Sequence, residues 1–125
     1  MSESHGKSKR TKTGAKRQQR NDKTKAELGR EAKHVVLGET KRKTLSARGN
    51  NTKQVLKSTD LINVLDPKTG KTTKSKILTV LENDANRHYV RMNVLSKGAL
   101  VKTELGDAKI TSRPGQHGIV NAVLV

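Results

Sequence analysis

Leu61-Ile62-Asn63-Val64-Leu65-Asp66-Pro67-Lys68-Thr69-Gly70 runs from an apolar stretch into a turn. Proline presets φ for the first turn position, and glycine is free to close the loop with either sign of φ. Thr72 to Leu81 brings apolar residues back, so the segment predicts a β-hairpin. The same grammar continues downstream. Asn83-Asp84-Ala85-Asn86 reads as a turn, and His88 to Leu95 alternates, with Val90, Met92 and Val94 on one face of a strand. Ser96-Lys97-Gly98 turns into Ala99 to Leu105, and Gly106-Asp107 is a two-residue hairpin signal into Ala108 to Ser112. Arg113-Pro114-Gly115-Gln116-His117-Gly118 predicts a tight loop before Ile119 to Val125, which is apolar apart from Asn121. A strand apolar on both faces belongs in a closed or covered sheet. The expected fold is mainly β: a small closed or nearly closed β-barrel of about six short strands.

Upstream the composition changes. Residues 1–53 hold 16 Lys and Arg against five Asp and Glu, a net +11, whereas residues 54–125 hold 11 against six, a net +5. After Met1, the large apolar residues of the first part are only Leu28, Val35, Val36, Leu37 and Leu45, while 24 lie beyond Gln54. So little apolar surface cannot offset the entropy of ordering a chain this long. The expectation is a basic extension over 1–53 that lacks its own core and stays disordered until bound, and a β-barrel domain over 54–125. A polyanion would order the extension, because each phosphate contact releases condensed counterions.

The cations of the extension come in clusters. Lys9-Arg10 and Lys16-Arg17 flank the turn-like Thr11–Ala15 segment that holds Lys12, and Arg20, Lys23 and Lys25 follow. Thr24-Lys25-Ala26-Glu27 has the spacing of a capping box, but Gly29 comes too soon for more than about one turn, and the match reads as accidental. Glu27-Leu28-Gly29-Arg30 reads as extended or turn-like. Val35–Leu37 is a short apolar stop able to pack on the domain, and Lys41-Arg42-Lys43 comes after it. Arg48 and Lys53 bracket Gly49 and Asn50, which accept φ > 0 and could aim successive N–H groups at one phosphate. An ordinary surface turn fits those residues equally well.

Chemistry other than binding finds little support. The chain has no cysteine, and His5, His34, His88 and His117 lack metal-site spacing. Ser112 and His117 sit on no nucleophile elbow, and Gly70-Lys71-Thr72 lacks the upstream glycine of a phosphate-binding loop. Neither a signal-like segment nor an apolar run of membrane length is visible. No enzyme activity, metal, cofactor, small-molecule substrate or membrane partner is therefore expected. Tyr89 is the only Phe, Trp or Tyr ring, which argues against base stacking and leaves phosphates, 2′-hydroxyls and RNA shape as handles. Beyond the extension the candidate contacts are Arg87 and Arg91, placed by a strand on its non-core face, Lys97 in a turn, and Arg113 beside a rigid Pro-Gly turn. A solvated β-surface explains the three arginines without RNA. Charge alone also admits a DNA-compacting chromatin protein.

In the last third, Asn86, Tyr89-Val90-Arg91, Asn93, Leu95, Lys97-Gly98, Thr111 to Gln116, Gly118 and Val120 to Leu124 form a series of motifs. The extension adds Thr13-Gly14, Lys16, Glu27 to Arg30, Leu37-Gly38, Arg48-Gly49, Asn51 and Lys53. In these residues the chain resembles small-subunit ribosomal protein eight of the archaeal and eukaryotic type. The resemblance covers nearly everything after residue 9. Ala15 and Asn50 stand where that family usually has glycine, and His117 where it tends to have aspartate. Eukaryotic members carry a long central insertion, so this compact chain is more similar to an archaeal member. The resemblance implies a structural constituent of the small ribosomal subunit, cytoplasmic and ribosome-associated. Its partners would be small-subunit ribosomal RNA and neighbouring small-subunit proteins, with basic extensions threaded along the RNA. A ribosome biogenesis factor on the same domain is the alternative, although such factors are longer.

Overall fold

The computed structural model describes residues 5–18, 22, 24–29 and 32–125, which leaves Arg20, Lys23 and Arg30 outside the described residues. In chain order the strands are β1 (Val35–Leu37), β2 (Lys41–Ser46), β3 (Thr52–Thr59), β4 (Leu61–Leu65) and β5 (Thr72–Glu82). The helical turn α1 (His88–Arg91) leads to β6 (Val94–Leu95), β7 (Leu100–Thr103) and β8 (Gly106–Ile110), then α2 (Pro114–His117) and β9 (Asn121–Leu124). Strands β4, β5, β7, β8 and β9 close into a barrel, and β2, β3, β1 and β6, in that order, make a four-stranded sheet. The chain separates into two units, residues 1–32 and 33–125.

Barrel closure comes from a parallel seam. Asn63, Val64 and Leu65 of β4 lie opposite Asn121, Ala122 and Val123 of β9, and Asn63 Nδ2 donates to Asn121 Oδ1 at 2.9 Å. All other neighbouring barrel strands are antiparallel. Alternation sends Ile62 and Val64 inward from β4, Val101 and Thr103 from β7, and Ala108 and Ile110 from β8. In β5 the buried positions are Ser75, Ile77 and Val80, a spacing of two and then three. A register break between Ile77 and Thr79 accounts for the change of phase, since one extra residue turns the following side chains over. Leu78 and Thr79 consequently both face outward.

The Asp66–Gly70 turn forms as the sequence predicts. Lys68 N–H and the Thr69 hydroxyl donate to the two Asp66 carboxylate oxygens, both at 2.9 Å, and Gly70 takes φ 65°. The Lys68 N–H, followed by the Thr69 hydroxyl, holds the Asp66 carboxyl below its ordinary pKa.

Three expected features differ. First, the barrel has five strands, because His88 to Leu95 is not one strand. Asn86 Oδ1 accepts the His88 N–H at 2.9 Å and the Asn86 carbonyl accepts Tyr89 N–H at 3.0 Å, which starts α1. Asn93 at φ 51° ends it, and only Val94 and Leu95 remain extended, paired with β1 outside the barrel. Second, the β7–β8 hairpin turns at Glu104-Leu105, with Thr103 opposite Gly106, so Gly106-Asp107 begins β8. The buried Thr103 hydroxyl donates to the Gly106 carbonyl at 2.6 Å and accepts Leu105 N–H at 3.3 Å, closing the turn two residues early. Third, the Pro114–Gly118 loop is a helical turn with proline at its start and Gly118, φ 73°, at its end.

Between sheet and barrel the chain bends at a single residue. Only Asp60 separates β3 from β4, and Val35 and Leu56 of the sheet belong to the same buried cluster as Ile62, Val80 and Ile110. The α2 turn packs on β3. A Cβ on Gly118 would lie 2.6 Å from the Gln54 carbonyl oxygen, and one on Gly115 2.9 Å from that of Lys33. These glycines are what allow the approach.

Candidate nucleic-acid interface

Pairing alone makes β2 a strand. Lys41-Arg42-Lys43-Thr44-Leu45-Ser46 has no inward-facing set, and every residue but Leu45 is exposed. It holds its shape because β3 runs beside it from Arg42 opposite Leu56 to Ser46 opposite Thr52. The outcome is a ribbon with nothing buried on either side beyond Val55, carrying Lys43 and Lys53, with Lys41 and Arg42 at its base. Lys41 pairs with Glu39 at 3.7 Å, the one ion pair among the described residues.

At the ribbon's tip Gly49 and Asn50 take φ 71° and 59°. The Asn51 side chain donates to the Arg48 carbonyl at 3.0 Å, and Ala47 N–H to the Asn51 carbonyl at 2.6 Å. Arg48 is thereby held on a short, tied turn and is exposed.

The first unit gathers cations by a different device. Arg10 and Lys16 form an antiparallel bridge, Arg17 N–H donates to the Lys9 carbonyl at 2.8 Å, and Thr11 N–H to that of Ala15 at 2.9 Å. Gly14 at φ 86° closes this small hairpin, and the Arg10 guanidinium donates to its carbonyl at 2.9 Å. Lys9, Arg10, Lys12, Lys16 and Arg17 are thus presented by about two turns' length of backbone, all exposed. Lys25 begins a single 3₁₀ turn, Lys25–Glu27, in which Thr24 N–H donates to Glu27 Oε2 at 3.4 Å. The capping spacing that reads as accidental therefore shapes a turn, with Leu28 extended after it. None of the described residues of this unit is buried.

In the second unit Arg87 and Arg91 are exposed. Arg87, in helical backbone just ahead of α1, and Arg91 at its end are four apart, a helical rather than a strand spacing. Lys97 stands on the turn closed by Ala99 N–H donating to the Ser96 carbonyl at 3.2 Å and tied to β8 by Gly98 N–H donating to the Ile110 carbonyl at 2.8 Å, and Arg113 directly precedes α2. Arg113 N–H donates to His117 Nδ1 at 3.4 Å. Tyr89 is partly buried and packs against the His34 ring at 4.9 Å between centroids, so it is not displayed as a stacking platform.

Sequence clustering overlooks the barrel wall. Lys74 and Lys76 on β5, Lys102 on β7 and Lys109 on β8 are all exposed, alternating with buried Ser75, Ile77, Val101, Thr103, Ala108 and Ile110. Their period-two placement was the available signal. Among the described residues no group of three His, Cys, Asp or Glu is placed to hold a metal, and no helix is long and apolar enough to cross a membrane. The arrangement offers dispersed, exposed cations and hydroxyls, a pattern that suits an extended polyanion better than a small ligand.

The family model for ribosomal protein S8e matches residues 4–125. The small ribosomal subunit protein eS8 of Methanocella arvoryzae is 55% identical over 121 residues, covering 96% of each chain. That of Methanosarcina barkeri is 49% identical with 96% of each chain covered, and that of Methanobrevibacter smithii 44% identical over the full length of both.

Proposed function

The chain belongs to the ribosomal protein S8e family, and from that premise we propose that it is a structural constituent of the small ribosomal subunit that holds ribosomal RNA through phosphate and shape contacts. The observation that carries this reading is the separation of a closed, packed barrel from cations displayed on solvated turns and a two-sided ribbon. Such an arrangement neutralises charge at many points along an extended partner. The basic extension over residues 1–53 supplies most of the charge; the stretch ahead of β1 gains its order from RNA, and the domain over 54–125, built around the barrel, serves as the platform. Neighbouring small-subunit proteins complete the surroundings.

Salt tests the mechanism. If 6–10 phosphates are neutralised, affinity for small-subunit RNA falls about 10³–10⁵-fold between 50 and 200 mM salt. A nearly flat salt dependence would remove the phosphate mechanism. Amide exchange tests the extension: without RNA, amides ahead of Lys33 should exchange rapidly, and with RNA they should slow. Protection of that stretch in the free protein would show that it needs no RNA to fold.

A further inference from the structure

The two faces of the β2–β3 ribbon differ chemically. Residues directly opposite in an antiparallel ladder point to the same side, and successive residues alternate. Arg42 opposite Leu56, Thr44 opposite Gln54 and Ser46 opposite Thr52 therefore share one face. Lys43 opposite Val55 and Leu45 opposite Lys53 share the other. Beyond buried Leu56 the first face presents three hydroxyls and one amide, with Arg42 as its only charge. Beyond buried Val55 the second presents two ammonium groups around Leu45.

Nothing in the fold uses these polar groups. Thr44, Ser46, Thr52 and Gln54 are exposed, and among the described residues none of their side chains makes a hydrogen bond. Strand preference explains threonine at such positions but not Ser46 or Gln54. Sorting the uncharged donors and acceptors from the lysines leaves one face able to bond neutral groups and one able to neutralise charge. A-form RNA offers both kinds of partner: its wide, shallow minor groove displays 2′-hydroxyls, while its major groove is too deep and narrow for side chains to read.

Building on the RNA-binding role argued above, we propose that the β2–β3 ribbon is a wedge between two RNA segments. Its Thr44, Ser46, Thr52 and Gln54 face lies on the minor groove of a duplex, bonding ribose 2′-hydroxyls. Its Lys43 and Lys53 face rests on the phosphates of the second segment. Arg42, at the base of the first face, reaches a phosphate bordering that groove.

The test compares two variants of the full chain with the wild type. T44V/S46A/T52V strips hydroxyls from one face, and K43Q/K53Q removes charge from the other. Binding to naked small-subunit ribosomal RNA is followed against salt, with competition by an RNA duplex and by the same sequence as DNA. The hydroxyl variant should lose about tenfold in RNA affinity and most of its preference for RNA over DNA, with its salt slope unchanged. The lysine variant should keep that preference while its salt slope falls by about two. Both should unfold at the wild-type urea midpoint, since every substituted position is exposed. An unchanged RNA-over-DNA preference in the hydroxyl variant overturns the sugar-facing assignment. Wild-type behaviour of both variants under a steep wild-type salt slope overturns the wedge and leaves RNA binding standing, with a protein neighbour or solvent against the ribbon. A flat wild-type slope sinks the RNA reading itself.

Discussion

The barrel and the β2–β3 ribbon use the same antiparallel ladder for opposite ends. In the barrel every strand turns one row of side chains into a shared interior, where Val101 and Ala108 reach 0% exposure. In the ribbon the ladder continues past Val55 and Leu56 with nothing buried on either side. Hydrogen bonds can extend a strand pair from a packed base, but burial is what fixes it. The ribbon is thus surface throughout, and that is what frees both of its faces for partners.

Substitutions can break or sharpen this contrast. Ile62→Ala, at 1% exposure inside the barrel, should cost about 2–5 kcal/mol in urea unfolding. A cost under about 1 kcal/mol there would mean that the barrel interior is not the main source of stability. Gly118→Ala drives a Cβ toward the Gln54 carbonyl at φ +73° and should cost about 2–4 kcal/mol, uncoupling α2 from the ribbon's base. Leu45→Ala, midway along the ribbon, should cost less than about 1 kcal/mol. If it matched Ile62→Ala, the ribbon would have a packed side after all. The smallest effect is acid-dependent. Because the folded Asp66 carboxyl lies below its ordinary pKa, its contribution is full above the unfolded value of about 3.9 and is lost as pH falls through the lower folded value. Asp66→Asn should therefore flatten the acid limb of the urea midpoint against pH, and an unaltered limb would show the turn to be energetically silent.

The same contrast explains what could be read in advance. The β4–β5 hairpin was legible because Asp66, Pro67 and Gly70 announce the turn and flanking apolar residues announce burial. Strand β2 was not, since a segment exposed on both faces leaves no periodic trace, and its cations register only as charge. His88 to Leu95 misled in the other direction. Its alternation is compatible with a strand, but Asn86 and Asn93 supply the local hydrogen bond and the left-handed φ that make a helical turn cheaper. At the β7–β8 turn, glycine drew attention to Gly106-Asp107, while the decisive group was the Thr103 hydroxyl three residues earlier. Among candidate contact residues, clustered cations in turns were visible as clusters. The wall lysines, one per alternation, needed the strand register before they could be seen as a surface.

The seam that shuts the barrel joins Asn63 to Asn121, 58 positions apart along the chain. Until Asn121–Leu124 have been synthesised, β4 and β8 each keep an open edge. A topology closed by so distant a contact folds over milliseconds to seconds rather than microseconds. Speed of maturation is therefore set by the rearmost strand finding one made much earlier, and any partner that covers the open β4 edge first would hold the molecule in an unfinished state.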